Sequence, residues 1–320
     1  MKSPLILFVT EEGKKIAERL TPLWGIIPQR YNSSAIKQAF DEKRPLIFIG
    51  ACGIIVRAVS AYLIHKSKDP PVVVIDERGK FVISLLSGHL GGANELTREI
   101  ASFLGATPVI TTASDIRGLL ALDLWLLQRN VVIEDWKSLK ELQSKLLETG
   151  KLSVFLEDPL AFSLPQALKE TSDPSEADFI LTYRPSSYPK LSFIVKALCL
   201  GVGFHKEEKE LYKKVTRLLQ EKGFSPKAIK RIATLDSRSQ TPAFYKLAKV
   251  FDAEALSFTK EELSLLSPPT PSYAQKALKI PGVAEPCALC AAEGGPLLLT
   301  KVSFQNITLA VAIHASFTFR

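Results

Sequence analysis

Three glycines flank one histidine in the stretch Leu85-Leu86-Ser87-Gly88-His89-Leu90-Gly91-Gly92-Ala93-Asn94-Glu95. An imidazole titrates near neutral pH and suits proton transfer. Glycines let the backbone turn sharply and let a ligand approach it closely. An apolar strand, Phe81 to Leu86, leads into the stretch, and a helical pattern of Ala93, Leu96 and Ile100 leads out. A helix start offers unpaired N–H groups and the positive end of its dipole, so this turn is expected to seat a carboxylate or an oxyanion. Ser87, Gly88, Gly91, Gly92 and Asn94 are then candidate ligand contacts. His89 is the candidate for proton transfer, and Glu95 for orienting it. The competing readings are a loop histidine bonded to a carbonyl and a solvated acid at a helix start, which the dipole favours anyway.

A second glycine turn, Gly50-Ala51-Cys52-Gly53, repeats the form before a helix expected over Ile54 to Ile64. Arg57 then falls in the first helical turn, where a cation opposes the dipole. An acidic ligand would remove the conflict; so would an ion pair with Asp76. Asp76 and Asp115 end strands and are either ligand contacts or turn residues. Cys52 could be a nucleophile only with a partner that the sequence does not assign. Cys287-Ala288-Leu289-Cys290 lacks a second ligand pair at zinc spacing and reads as core packing. No dinucleotide fingerprint, Walker A motif or G-x-S-x-G elbow is present, which weighs against an unrelated nucleotide-binding protein.

Strands must position these turns. Pro4–Val9, Leu46–Ile49, Val72–Ile75, Phe81–Leu86 and Thr107–Thr111 alternate with helices at Glu11–Leu20, after Asn32, after Gly53 and after Gly92. Glu77 to Lys80 reverses the chain as a hairpin. This alternation predicts an α/β fold with a mixed, mostly parallel amino-terminal sheet over residues 1–128. Residues 129–190 read as a small middle module and linker. Residues 191–320 read as a second α/β domain.

The chain has 320 residues, a net charge of +8 and four cysteines. Residues 1–128 carry 15 basic and 12 acidic groups, and residues 191–320 carry 18 and 11. Positive charge attracts acidic ligands. No basic run with interleaved aromatics points to nucleic acid, and no run is long enough to span a bilayer. The start resembles no signal peptide, and few cysteines suit a reducing cytoplasm.

Four blocks carry a specific resemblance. They are Phe48 to Val59, Asp69-Pro70-Pro71-Val72-Val73-Val74-Ile75-Asp76, Ser84 to Leu96, and Thr107 to Ala113. Ungapped from 46 to 115, they closely resemble the amino-terminal domain of the cobalt-precorrin-5A hydrolases of anaerobic cobalamin synthesis. Gly201-Val202-Gly203, Ala233-Thr234-Leu235-Asp236, Ser257-Phe258 and Val283-Ala284-Glu285 resemble that family's carboxy-terminal domain. The resemblance implies that water opens the ring-A δ-lactone of a cobalt corrinoid and that acetaldehyde leaves. It implies an anionic cobalt-tetrapyrrole substrate that brings its own metal, so no cofactor or metal held by the protein. Arg57, Lys206 and Arg238 become partners for rim carboxylates, and Gly50, Gly53 and Asp236 further substrate contacts. Other enzymes of the pathway and a second copy of the chain stay open as partners; nucleic acid and membrane do not. Two departures stand out. Phe204-His205-Lys206-Glu207 replaces a Cys-Arg-Arg-Gly-like run, and Arg238 stands where a lysine is usual. A non-catalytic tetrapyrrole carrier would share the same anion seats.

Overall fold

The computed structural model describes residues 2–65, 68–89, 91–112, 120–185, 190–271 and 279–318. Two compact units divide the chain, Met1–Trp125 and Leu126–Arg320. The first is built on strands β1 (Leu5–Phe8), β2 (Gln29–Arg30), β3 (Leu46–Ile49), β4 (Val72–Ile75), β5 (Phe81–Leu86) and β6 (Thr107–Val109). They form one sheet in the order β2-β1-β3-β4-β5-β6. Its helices are α1 (Glu11–Arg19), α2 (Thr21–Trp24), α3 (Ser33–Asp41), α4 (Cys52–Val59) and α5 (Ala93–Leu104).

Four-residue aliphatic runs suit strands covered on both faces. Ile6, Phe8, Ile47, Ile49, Val73 and Ile75 pack with α1 and α5. Leu5, Leu7, Leu46, Phe48, Val72 and Val74 pack on the other face with Ala35 and Ile36 of α3 and Ile55 and Val59 of α4. Thr10 and Asn32 cap α1 and α3 by accepting from the N–H groups of Gly13 and Ala35.

Strand direction decides where the glycine turns go. β2, β1, β3 and β4 are parallel. β5 runs antiparallel to β4, with Leu86 opposite Val72 and Val82 opposite Ile75, and β6 runs parallel to β5. The end of β5 therefore lies beside the start of β4. Asp76, at the end of β4, lies at the opposite edge. Asp115 lies outside the described residues.

α6 (Leu122–Gln128) leads into the second unit. There β7 (Val131–Val132), α7 (Trp136–Thr149), β8 (Leu152–Leu156), β9 (Leu168–Glu170), β10 (Phe179–Thr182) and β11 (Ser192–Val195) give a sheet ordered β7-β11-β10-β8-β9. A third sheet follows. Its elements are β12 (Leu198–Phe204), α8 (Leu211–Glu221), β13 (Ile229–Leu235), α9 (Asp236–Ser239), α10 (Pro242–Phe251), β14 (Glu254–Phe258), α11 (Lys260–Ser264), α12 (Ala284–Ala292), β15 (Leu297–Phe304) and β16 (Ile307–Ile313), and its strand order is β14-β13-β12-β16-β15. The molecule is a multi-domain α/β protein with three mixed sheets.

α12 lies directly on the third sheet. Ala284, Cys287, Ala288, Ala291 and Ala292 are buried there against Cys199, Ala233 and Ala310. A Cβ on Gly201 would stand 1.8 Å from the Ala284 carbonyl oxygen, so β12 needs glycine where the helix passes. Burial raises the Cys287 thiol well above its ordinary pKa and Cys199 to about 12. β2, β7, β9 and β11 have only two to four residues each; such edge or short strands leave too little periodicity to be read from sequence.

Candidate functional site

β5 is followed by Ser87, whose φ of 57° puts a non-glycine residue in the left-handed region. The chain turns through Gly88 and His89, and Gly92, with φ 85°, opens α5. The turn closes on itself. Gly91 and Ala93 N–H donate to the Ser87 carbonyl (3.1 and 3.2 Å), Gly92 N–H to the His89 carbonyl (3.2 Å), and Asn94 N–H to the Gly88 carbonyl (3.0 Å). This corrects the expectation of a fan of open amides. Ser87 in the left-handed region curls its carbonyl back under the helix start, and four of those N–H groups are already satisfied. Gly88 N–H donates to no described acceptor.

Asn94 is not an open ligand contact either. It is buried, accepts from Ser84 Oγ at 2.6 Å and donates to Thr112 Oγ1 at 3.4 Å. It ties α5 to β5 and to the loop after β6. A Cβ on Gly88 would come within 2.7 Å of its side-chain oxygen. Ser87 Oγ donates to the Asp69 carbonyl at 2.9 Å. The Asp69 carboxylate accepts from Ile64 N–H (2.9 Å) and His65 N–H (3.3 Å). The loop that brings the chain back to β4 thus clasps the His89 turn. His89 is half-buried in that turn. His65 sits at the same edge of the sheet, a placement that sequence spacing did not reveal because it depends on the direction of β5.

Glu95 is exposed and makes no hydrogen bond or ion pair with a described residue, so it does not orient His89. It lines a cavity of about 240 Å³ with Lys2, Pro4, Trp24, Pro45 and Glu99. At the first turn of α5 its charge suits the helix dipole.

Gly50 and Gly53 occupy the other edge of the sheet. Gly50 has φ 152° and donates its N–H to the Ile75 carbonyl at 2.9 Å. α4 spans Cys52–Val59, starting two residues before and ending five residues before the expected Ile54 to Ile64, and its early end puts Arg57 in the last turn. A cation there suits the dipole, so the expected conflict disappears. The Arg57 guanidinium is exposed and donates through Nη1 to the Gly53 carbonyl at 3.2 Å. It does not pair with Asp76. That carboxylate accepts from the N–H groups of Arg78 (3.1 Å), Lys80 (2.7 Å) and Phe81 (2.6 Å), closing the hairpin. Gly50 and the Ser87–Asn94 turn are therefore separated by the four residues of β4, roughly 13 Å of strand.

In the second unit, the ends of β12 and β13 bring Lys206, Asp236 and Arg238 to one edge of the third sheet. Arg238 Nε donates to the Phe204 carbonyl at 3.1 Å, and Nη1 to the Ser237 carbonyl at 3.4 Å. Asp236 accepts from Ser237 N–H at 2.6 Å. Lys206 is exposed and makes no hydrogen bond or ion pair with a described residue.

Two polar clusters in this unit were not singled out from sequence. Glu285 is buried at the start of α12 and accepts from Thr270 Oγ1 (2.7 Å), Thr270 N–H (3.2 Å) and Lys301 N–H (2.9 Å). Arg231 pairs with Glu254 (2.8 Å) and Glu293 (2.5 Å) and stands 2.9 Å from His314 Nε2. Burial, with Lys230 and Arg231 nearby, lowers the His314 pKa, and Arg231 lowers that of Glu293. Their members lie far apart in sequence, so no spacing signal marks them. Among the described residues no helix is long and apolar enough to cross a membrane.

Comparison with known proteins accounts for both units. Residues 34–115 match the family model Cobalamin synthesis G N-terminal, and residues 198–312 match Cobalamin synthesis G C-terminus. The first match contains both glycine turns; the second contains Lys206, Asp236 and Arg238. The chain is 30% identical over 299 residues to the cobalt-precorrin-5A hydrolase of Priestia megaterium, covering 86% of this chain and 79% of that one. It is also 30% identical over 299 residues to the cobalt-precorrin-5A hydrolase of Salmonella typhimurium strain LT2, covering 88% and 85%. With models matched in both units and this identity along most of its length, the chain belongs to the cobalamin synthesis G family.

Proposed function

We propose that the chain hydrolyses cobalt-precorrin-5A. Water opens the ring-A δ-lactone of the ring-contracted corrinoid, and a two-carbon fragment leaves as acetaldehyde, so substrate plus water gives cobalt-precorrin-5B plus acetaldehyde. The observation that carries this reading is identity to named hydrolases along 299 residues. The geometry adds a division of labour. His89, held in its clasped turn, accepts the proton as water adds to the lactone carbonyl and returns it during carbon–carbon cleavage. Gly88 N–H, unspent within the turn, is the backbone donor for the developing oxyanion. Arg57, an exposed cation of the first unit with no described acidic partner, takes a carboxylate of the macrocycle rim. In this reading the cobalt travels with the substrate, and the protein holds no metal or nucleotide of its own. Four free cysteines suit a reducing cytoplasm.

The test is acetaldehyde release from cobalt-precorrin-5A by the purified chain. Release that His89→Ala abolishes supports the reading. Tight binding of the corrinoid without release would make the chain a carrier instead.

A further inference from the structure

Exposed large apolar side chains gather on one short stretch of the first unit. Ile54 (38% exposed), Val56 (47%), Leu63 (44%) and Ile64 (74%) all lie on α4 or directly after it. Ile55 and Val59 point into the core, so Gly53 and Arg57 point away from the sheet, with Ile54 and Val56 on either side of them. Beside it, β5 turns Phe81, Ile83 and Leu85 to the same face of the sheet. Phe81 is 47% exposed, and Ile83 and Leu85 are only half-buried at the edge of the α3–α4 core. The opposite face of β5 is the one that α5 covers, through Val82 and Ser84.

Among the described residues, Arg57 is a cation in this apolar strip with no acidic partner. Arg57 reaches only its own helix's carbonyl. The nearest carboxylates along the chain are engaged, Asp69 by the Ile64 and His65 N–H groups and Asp76 by the hairpin. A flat apolar ligand with acid groups on its rim meets both features. The strip also runs in the right direction. α4 starts at the Gly50 edge and, through Leu63 and Ile64, reaches the edge where Asp69 clasps Ser87. It spans the two ends between which the candidate residues are divided.

We propose that the outer flank of α4, from Ile54 through Arg57 to Ile64, with Phe81, Ile83 and Leu85 of β5, is the platform on which the apolar face of the corrin macrocycle lies, Arg57 gripping a rim carboxylate. This rests on the corrinoid reading above and deepens it. The platform fixes specificity: apolar contact holds the ring, and Arg57 selects rings with free acids.

The probe is cobyrinic acid, a cobalt corrin with free carboxylates, and its methyl ester, titrated by absorbance against the full chain. Ile54→Ser combined with Ile64→Ser should weaken binding of both by about tenfold. Arg57→Gln should weaken the acid by about tenfold and leave the ester unchanged. Leu265→Ser, at an apolar residue 86% exposed in the other unit, is the control and should bind as the parent does. Melting temperatures of all variants confirm that each is folded where it is titrated. Equal binding by parent and platform variants overturns the proposal. So does a parent dimer that the Ile54→Ser, Ile64→Ser variant dissolves without any change in corrin affinity. The function reading fails separately, if the parent releases no acetaldehyde from cobalt-precorrin-5A. If the parent does release it and the platform variants keep the parent KM, only the platform is wrong.

Discussion

His89 is half-buried two residues after a left-handed serine whose hydroxyl is bonded to a neighbouring loop. Such anchoring holds an imidazole in place without contributing to its chemistry. His89→Ala should therefore lower kcat by about 10²–10⁴ while leaving corrinoid binding nearly unchanged; a kinetic assay of acetaldehyde release with a parallel titration checks both. Glu95→Gln should leave kcat within about twofold, because Glu95 touches no described polar group. Away from the site, His314 makes stability depend on pH. Its pKa is lowered in the fold by burial and by Lys230 and Arg231. The unfolded chain binds the proton more readily, so the contribution is complete above the ordinary value of 6.5 and is lost as pH falls below it. The melting temperature should drop between about pH 7 and about pH 5, and His314→Asn, which keeps an acceptor for Ser316 N–H, should flatten that slope. Residue types were legible: a histidine among glycines drew attention to the turn. Which amides were already bonded was not, since that depended on the backbone angle of Ser87.

At the scale of elements, direction matters more than identity. Nearly every long strand and helix of the first unit could be placed by apolar periodicity, and Asn32 caps α3 as its type suggests. The Phe81–Leu86 hairpin was also legible. Its consequence, that the turn after β5 lies at the opposite edge from Gly50, follows from sheet order, which local pattern does not encode. α4 gives way at Val59 to a 3-10 turn over Ser60–Tyr62, although the apolar pattern continues to Ile64, and this early end sets the electrostatics of Arg57. Two substitutions test the packing. Gly201→Ala should destabilise the second unit by about 3 kcal/mol or prevent its folding, because a methyl cannot fit 1.8 Å from the Ala284 carbonyl oxygen. Asp76→Ala, which strips the acceptor from three hairpin N–H groups, should cost about 1–2 kcal/mol in chemical denaturation.

On the scale of the molecule, three sheets fall into two compact units, and the family matches lie one in each. The middle sheet, over Val131 to Val195, lies outside both matches and was the least legible part. Its β7 and β9 are two and three residues long, and the prolines around Pro159 and Pro165 interrupt any pattern. Each matched segment carries an exposed cation with no described acidic partner, Arg57 in the first and Lys206 in the second. The most direct measurement is a single anaerobic incubation of the intact chain with cobalt-precorrin-5A, following acetaldehyde by a coupled assay and the corrinoid by mass spectrometry. One acetaldehyde should appear per corrinoid converted, with the matching loss of the two-carbon unit. Recovery of the corrinoid unchanged, bound or free, would contradict hydrolysis by this chain.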